Sequence, residues 1–225
     1  MPTSESEQAI VIEPASAAVA SVIWLHGLGA DGHDFVPIVP ELRLPEPLAV
    51  RFVFPHAPVR PITINNGMRM RGWYDIPSLT RMDRQDAAGI RDSERIVREL
   101  LKAELDAGIA SERIVLAGFS QGGAIALHTG LRYECRLAGI MALSTYLPLA
   151  EHFAKEARAE RKDTPILMCH GTHDGTLPMV LGSSTRDILK TAGFTVAWHA
   201  YPMQHQVCGE EIDEISRWLR ERLLA

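Results

Sequence analysis

Residues 118–122 read Gly118-Phe119-Ser120-Gln121-Gly122, directly after the apolar run Arg113-Ile114-Val115-Leu116-Ala117. A serine at that spacing between glycines suits a sharp turn from a buried strand into a helix. The turn lifts the Oγ above the sheet, and bulky residues two positions to either side would collide as it closes. Such a turn is strained, and backbone strain collects at functional sites. The small residues that follow, Gly122-Gly123-Ala124-Ile125-Ala126-Leu127, suit the start of a buried helix. The chemistry this predicts is nucleophilic attack by Ser120. An ordinary Gly/Ser-rich turn is the alternative. A nucleophilic serine needs a base, an acid that orients the base, and donors for an oxyanion.

Elements that could position such groups alternate along the chain. Short apolar runs at 21–25, 51–54, 113–117, 137–143, 165–169 and 195–200 read as strands buried on both faces, and 9–12 as an edge strand. Helical patterns occupy 86–107, 121–131, 149–159, 178–192 and 208–224. The first of these carries apolar residues at Ile90, Val97, Leu101 and Leu105, with Gly108 placed to end it. The alternation predicts an α/β fold, a mostly parallel sheet with helices on both faces and the active site beyond the carboxyl ends of the strands. The chain reads as one domain over 1–225, with 1–8 a flexible tail, and without repeats or linkers.

The remaining chemical residues fall after strands, as that fold requires. After residue 25 comes His26-Gly27-Leu28-Gly29-Ala30-Asp31-Gly32, a Gly-rich turn that can aim backbone N–H groups at an oxyanion. The expected donors are the N–H groups of Leu28 and of Gln121, the residue after the nucleophile. A merely tight or anion-binding turn is the alternative, and no phosphate-loop pattern is present. After 165–169 comes His170-Gly171-Thr172-His173-Asp174, which makes Asp174 the acid. His170 and His173 also invite a metal reading; a hydrogen-bonded brace suits His170 better, because no further ligand cluster has metal-site spacing. After the last strand, His205 stands in Tyr201-Pro202-Met203-Gln204-His205, as the base. The order Ser120, Asp174, His205 is that of α/β-hydrolases.

Composition narrows the classes. The 225 residues are 46% hydrophobic and 23% charged, with a net charge of −5 and no basic stripe for nucleic acid. The polar N-terminus lacks the pattern of a signal peptide, and no apolar run is long enough to span a membrane. Cys135, Cys169 and Cys208 are odd in number and widely spaced, which reads as reduced thiols in a cytoplasmic protein.

Taken together, HGLGADGHDF, APVRPITINNGMRMRGWYDI, GFSQGGAIAL, LSTYLP, HGTHDGTLP and MQHQVCGEEI resemble the carboxylesterase and acyl-protein thioesterase family of small α/β-hydrolases. The resemblance runs from about residue 20 to the C-terminus. It looks closer to the bacterial carboxylesterases than to the eukaryotic thioesterases, through Ala30-Asp31 and Trp73-Tyr74-Asp75. It implies Ser120, His205 and Asp174 as the triad, with Leu28 and Gln121 as oxyanion donors. Arg69-Met70-Arg71-Gly72 departs from the family's less basic sequence at that place. The segment 56–82 is too long for a plain βα connection and too short for a cap domain, so access to Ser120 should be open. Trp73, Ile76 and Leu177 are candidate walls for an acyl group, with ordinary loop packing as the alternative.

The expectation is therefore a serine carboxylesterase acting on short- to medium-chain esters by acyl transfer, with no metal or organic cofactor. A thioester or lysophospholipid substrate is the alternative within enzymes, and a binding module with a dead site the alternative outside them. The expected partner is a small-molecule ester or thioester, with no nucleic acid and no stable membrane insertion; a homodimer stays open.

Overall fold

The computed structural model describes residues 2–78 and 84–224. The end of the 56–82 segment therefore lies outside the described residues. An eight-stranded sheet runs through the molecule in the order β1 (Thr3–Glu5), β2 (Ala9–Ile12), β4 (Val50–Pro55), β3 (Ala20–Leu25), β7 (Ile114–Phe119), β8 (Gly139–Leu143), β9 (Ile166–Gly171), β10 (Val196–Tyr201). From β4 to β10 every pairing is parallel, and only β1–β2 and β2–β4 are antiparallel. This is the expected doubly covered α/β sheet with no large cap.

Strand alternation divides the core in two. Ile114 and Leu116 of β7 and Ile23 and Leu25 of β3 face one side, where they meet α2 (Ala87–Asp106) through Ile90, Val97 and Leu101, and α3 (Gln121–Gly130) through Ala124 and Ile125. Val115, Ala117, Val22 and Trp24 face the other side. There they meet Val39 of α1 (Ile38–Glu41) and Ile215, Trp218 and Leu219 of α6 (Gly209–Leu223). The first face is completed by Phe153 of α4 (Ala150–Glu156) and Leu189 of α5 (Met179–Thr191). A period of two in the strands thus feeds both cores, and strands apolar throughout are the result.

Helix α2 starts and stops where its sequence directs. Asp86 caps it, its Oδ1 accepting from the Gly89 N–H at 2.9 Å. At the other end Gly108 takes φ +89° while Ile109 N–H donates to Glu104 O and Gly108 N–H to Leu105 O, a Schellman ending.

Three elements differ from the sequence expectation. Thr3–Glu5 is not part of a tail but pairs with β2, so β2 is internal and β1 is the edge. Ile38–Glu41 forms a single helical turn too short to show periodicity. Within 56–82 lies a hairpin of β5 (Val59–Ile62) and β6 (Met68–Arg71), whose return passes through Asn66 (φ +55°) and Gly67 (φ +74°). Asn-Gly is a strong hairpin signal, and it was available in the sequence. Among the described residues, no helix is long and apolar enough to cross a membrane.

One core group carries a charge problem. Glu211, in the first turn of α6, is fully buried, and neither carboxylate oxygen has a hydrogen-bond partner of good geometry among the described residues. Burial pushes its pKa from 4.5 up to about 8, and the nearby Cys208 N–H and Cys169 offset only part of this. A carboxyl whose folded pKa lies above its unfolded value binds its proton more tightly when folded. Its contribution is complete below the unfolded pKa and is lost as pH rises through about 8. Glu211→Gln, which keeps the shape of the neutral acid, should flatten the decline in stability between about pH 5 and about pH 9. Urea melts across that range measure it, and equal declines in both proteins would rule out the burial account.

Candidate active site

Ser120 stands at the junction of β7 and α3 with φ +53° and ψ −119°, a conformation that costs a non-glycine residue on the order of 1–3 kcal/mol. Hydrogen bonds hold it there. Its N–H donates to Leu143 O at 2.9 Å, and its carbonyl accepts from the Thr145 hydroxyl at 2.7 Å and from Ala124 N–H at 3.1 Å. The flanking glycines are sterically required. A Cβ on Gly118 would lie 2.3 Å from the Gly122 backbone, and one on Gly122 would lie 2.3 Å from Leu25 O. The pentapeptide is thus a packing solution that brings β3, β7 and α3 into backbone contact beneath the serine.

The other two predicted side chains converge on it. His205 Nε2 lies 2.9 Å from Ser120 Oγ, and His205 Nδ1 lies 2.6 Å from Asp174 Oδ2. The Asp174 side chain is fully buried, and its other oxygen accepts from the N–H groups of Thr176 (3.0 Å) and Leu177 (2.7 Å). Those donors fix the plane of the carboxyl group. The imidazole packs against Phe119, with ring centroids 4.8 Å apart.

The loops that carry Asp174 and His205 are joined to each other. Thr172 N–H donates to Tyr201 O at 2.8 Å and His173 N–H to Met203 O at 3.1 Å. Gly171 permits this contact, since a Cβ there would meet Met203 O and Gln204 O at 2.4 Å. The two histidines of the acid loop separate. His173 is exposed, while His170 is buried with Nε2 donating to Leu177 O at 2.9 Å, and burial lowers its pKa. Among the described residues, no group of three or more His, Cys, Asp or Glu side chains is arranged to hold a metal ion.

The Gly-rich turn after β3 is fixed from below. Buried His26 uses Nδ1–H on Gly27 O at 2.7 Å and accepts the Ala57 N–H on Nε2 at 3.0 Å. Burial lowers its pKa to about 4, so it stays neutral near pH 7 with this one tautomer. Gly29 N–H donates to Arg71 O at 2.9 Å, which ties the turn to β6. Leu28 lines the cavity in front of Ser120. Gln121 is the first residue of α3, where an N–H has no carbonyl partner inside its own helix.

That cavity is about 290 Å³ and is walled by Leu28, Ile64, Ile76, Leu177, Leu181 and the ring of Tyr146, with Ser120 and His205 at one end. Of the three candidate wall residues, Ile76 and Leu177 line this cavity. Trp73 does not, and that expectation is corrected. Its side chain is fully buried away from the cavity, with the indole N–H donating to His26 O at 2.9 Å. Its backbone N–H donates to Gln121 Oε1 at 2.8 Å, and its carbonyl accepts from the Ser93 hydroxyl. The Gln121 side chain had no role in the sequence reading. Its amide spans two backbone groups of the hairpin segment, because Nε2 also donates to Tyr74 O at 2.7 Å. Asp34, at the cavity lining, has its carboxyl pKa raised by burial.

The family model described as phospholipase/carboxylesterase matches residues 6–223. Acyl-protein thioesterase 1 of Neurospora crassa is 43% identical over 95% of this chain and 91% of its own length. The protein of the same name from Gibberella zeae is 42% identical, over 95% of each chain. The crystal structure of Zea mays acyl-protein thioesterase 2 superposes with a TM-score of 0.86 at 31% identity, covering 96% of this chain and 98% of that one. These fungal and plant relatives correct the expected leaning towards bacterial carboxylesterases. Ala30-Asp31 and Trp73-Tyr74-Asp75 are too few residues to outweigh a match along the whole chain. A strained serine turn, the sheet that carries it and a sequence match over nearly every residue lead to one conclusion: the chain belongs to the phospholipase/carboxylesterase family of α/β-hydrolases.

Proposed function

We propose that this hydrolase cleaves acyl esters and thioesters of medium chain length through a Ser120–His205–Asp174 triad. The observation that carries the reading is the continuous hydrogen-bonded path from Ser120 Oγ through His205 to Asp174, at 2.9 and 2.6 Å. His205 takes the Oγ proton as Ser120 attacks the carbonyl, and Asp174 holds the Nδ1–H tautomer and stabilises the imidazolium. The N–H groups of Leu28 and Gln121 receive the oxyanion. His205 returns the proton to the leaving alcohol or thiol, and a water repeats the cycle on the acyl-enzyme. The thioester preference is favoured over the simple carboxylesterase reading by the thioesterase names of the fungal relatives.

Ser120→Ala should lower hydrolysis of octanoyl thioesters and p-nitrophenyl esters by about 10⁴-fold or more, with the melting temperature little changed, since alanine keeps the β-carbon. A serine-directed phosphonate should label Ser120 alone. More than a tenth of parent turnover in the variant would end the nucleophile assignment.

Chain length tests the cavity. A space of about 290 Å³ holds roughly eight to ten methylene-sized groups at about 30 Å³ each. Each buried methylene adds about 0.8 kcal/mol while it still finds a wall. The kcat/KM series should climb from acetate to an optimum near roughly eight carbons, then level off or fall. Ile76→Ala should cost octanoate several-fold more than acetate. Trp73→Ala should cost both alike, because it loosens the turn beneath the reacting carbonyl and not the wall. A climb continuing to sixteen carbons, or a chain-length-dependent loss in Trp73→Ala, would refute this placement of the acyl group.

A further inference from the structure

Among the polar groups that line the cavity is a pair of phenols that the triad does not use. Tyr74 and Tyr146 come from different loops, one after the β5–β6 hairpin and one after β8, and their hydroxyl oxygens meet at 2.9 Å. Both residues line the cavity. The surrounding side chains of Ile64, Ile76, Leu177 and Leu181 offer them no hydrogen bond.

Two phenols in contact have two protons and share only one. Tyr74 is 2% exposed and Tyr146 is half-buried, so Tyr74 has the poorer access to any other acceptor. With Tyr74 donating to Tyr146, the more buried hydroxyl keeps its proton bonded and the more accessible Tyr146 O–H is left for the cavity. The O–H of Tyr146 is left over, with no acceptor other than Tyr74 within hydrogen-bond distance among the described residues. Both rings are held from behind. Gln121 Nε2 donates to Tyr74 O at 2.7 Å, while the residues on either side of Tyr146 are fixed by Thr145 Oγ1 on Ser120 O and by Leu147 N–H on Thr185 Oγ1. A donor fixed on an apolar wall rewards an acceptor at one depth, and it is left unpaired by an alkyl chain that displaces water from it.

We propose that the Tyr74–Tyr146 pair is a specificity element presenting one O–H donor to the substrate. It selects acyl chains that carry a hydrogen-bond-accepting oxygen at a defined distance from the reacting carbonyl over all-methylene chains of equal length. The inference rests on the acyl-hydrolase reading above.

The test is an oxygen scan. Octanoyl thioesters and p-nitrophenyl esters are compared with analogues in which an ether oxygen replaces one methylene at a time. The reading is kcat/KM of each analogue relative to octanoate, for the parent, Tyr146→Phe and Tyr74→Phe. In the parent, one position or two adjacent ones should exceed the rest by about tenfold, the worth of a neutral hydrogen bond. Tyr146→Phe should erase that peak, and Tyr74→Phe should retain it, because Tyr146 keeps its proton. A flat parent profile, or a peak that survives Tyr146→Phe, overturns the inference while turnover of octanoate leaves the hydrolase reading standing. No turnover of any ester and no phosphonate label on Ser120 overturns both.

Discussion

The constraint on which the rest of this structure depends is a single left-handed residue. Ser120 sits at φ +53° on the carboxyl end of the central strand, and a β-carbon-bearing residue stays there only when its surroundings leave it no alternative. Those surroundings come from four elements. Strand β8 supplies the Leu143 carbonyl, the following loop supplies the Thr145 hydroxyl, β3 presses Leu25 O against Gly122, and α3 begins at once. Each requires its strand to end level with its neighbours, and the register delivers this: Leu25 faces Gly118, and Gly118 faces Ala142. The parallel sheet is thereby a device for bringing several strand ends to one strained point.

Asp174 and His205 need a different kind of support, because loops lack a ladder of their own. Here the two loops support each other. The Thr172 and His173 N–H groups bond to the base loop, and Gly171 lets the chains touch. Asp174 can then be buried without a cation beside it, since two backbone N–H groups and an imidazole N–H surround its oxygens. A buried carboxylate is costly when unsatisfied and rigid when satisfied. Glu211 shows the contrast a short distance along the chain, with the same burial, no donor of good geometry, and a pKa pushed up to about 8.

Much of this was legible in the sequence because the fold ties chemistry to strand ends. Apolar runs marked β3, β7, β9 and β10, and the residues just beyond them were Leu28, Ser120, Asp174 and His205, three of which the structure links by hydrogen bonds. What stayed hidden was side-chain direction within a loop. Trp73 and Ile76 are three residues apart in the same segment, yet one turns inward onto His26 O and the other faces the cavity. Neither periodicity nor composition distinguishes them, since an irregular segment has no period. The N-terminal strand was missed for a related reason: Thr3-Ser4-Glu5 is exposed throughout, so edge pairing alone, without burial, orders it. The hairpin was missed although Asn66-Gly67 signalled it, because Pro61 and the exposed or half-buried run Met68-Arg69-Met70-Arg71 hid its alternation.

Gln121 occupies two roles through two different parts of one residue. Its backbone begins α3 beside the nucleophile, and its side-chain amide bridges Trp73 N–H and Tyr74 O across 47 or more residues of sequence. The hairpin-side wall of the cavity and the turn that carries Ser120 are consequently one mechanical part. On the proposed function, a variant that reshapes the hairpin segment also pulls on the residue after Ser120, so selectivity and turnover should change together. Changes to the side chains of Tyr146, Leu177 and Leu181 leave the Gln121 bridge itself intact. Diversification of substrate range in a chain built this way should therefore concentrate on that half of the cavity and leave the hairpin half nearly still.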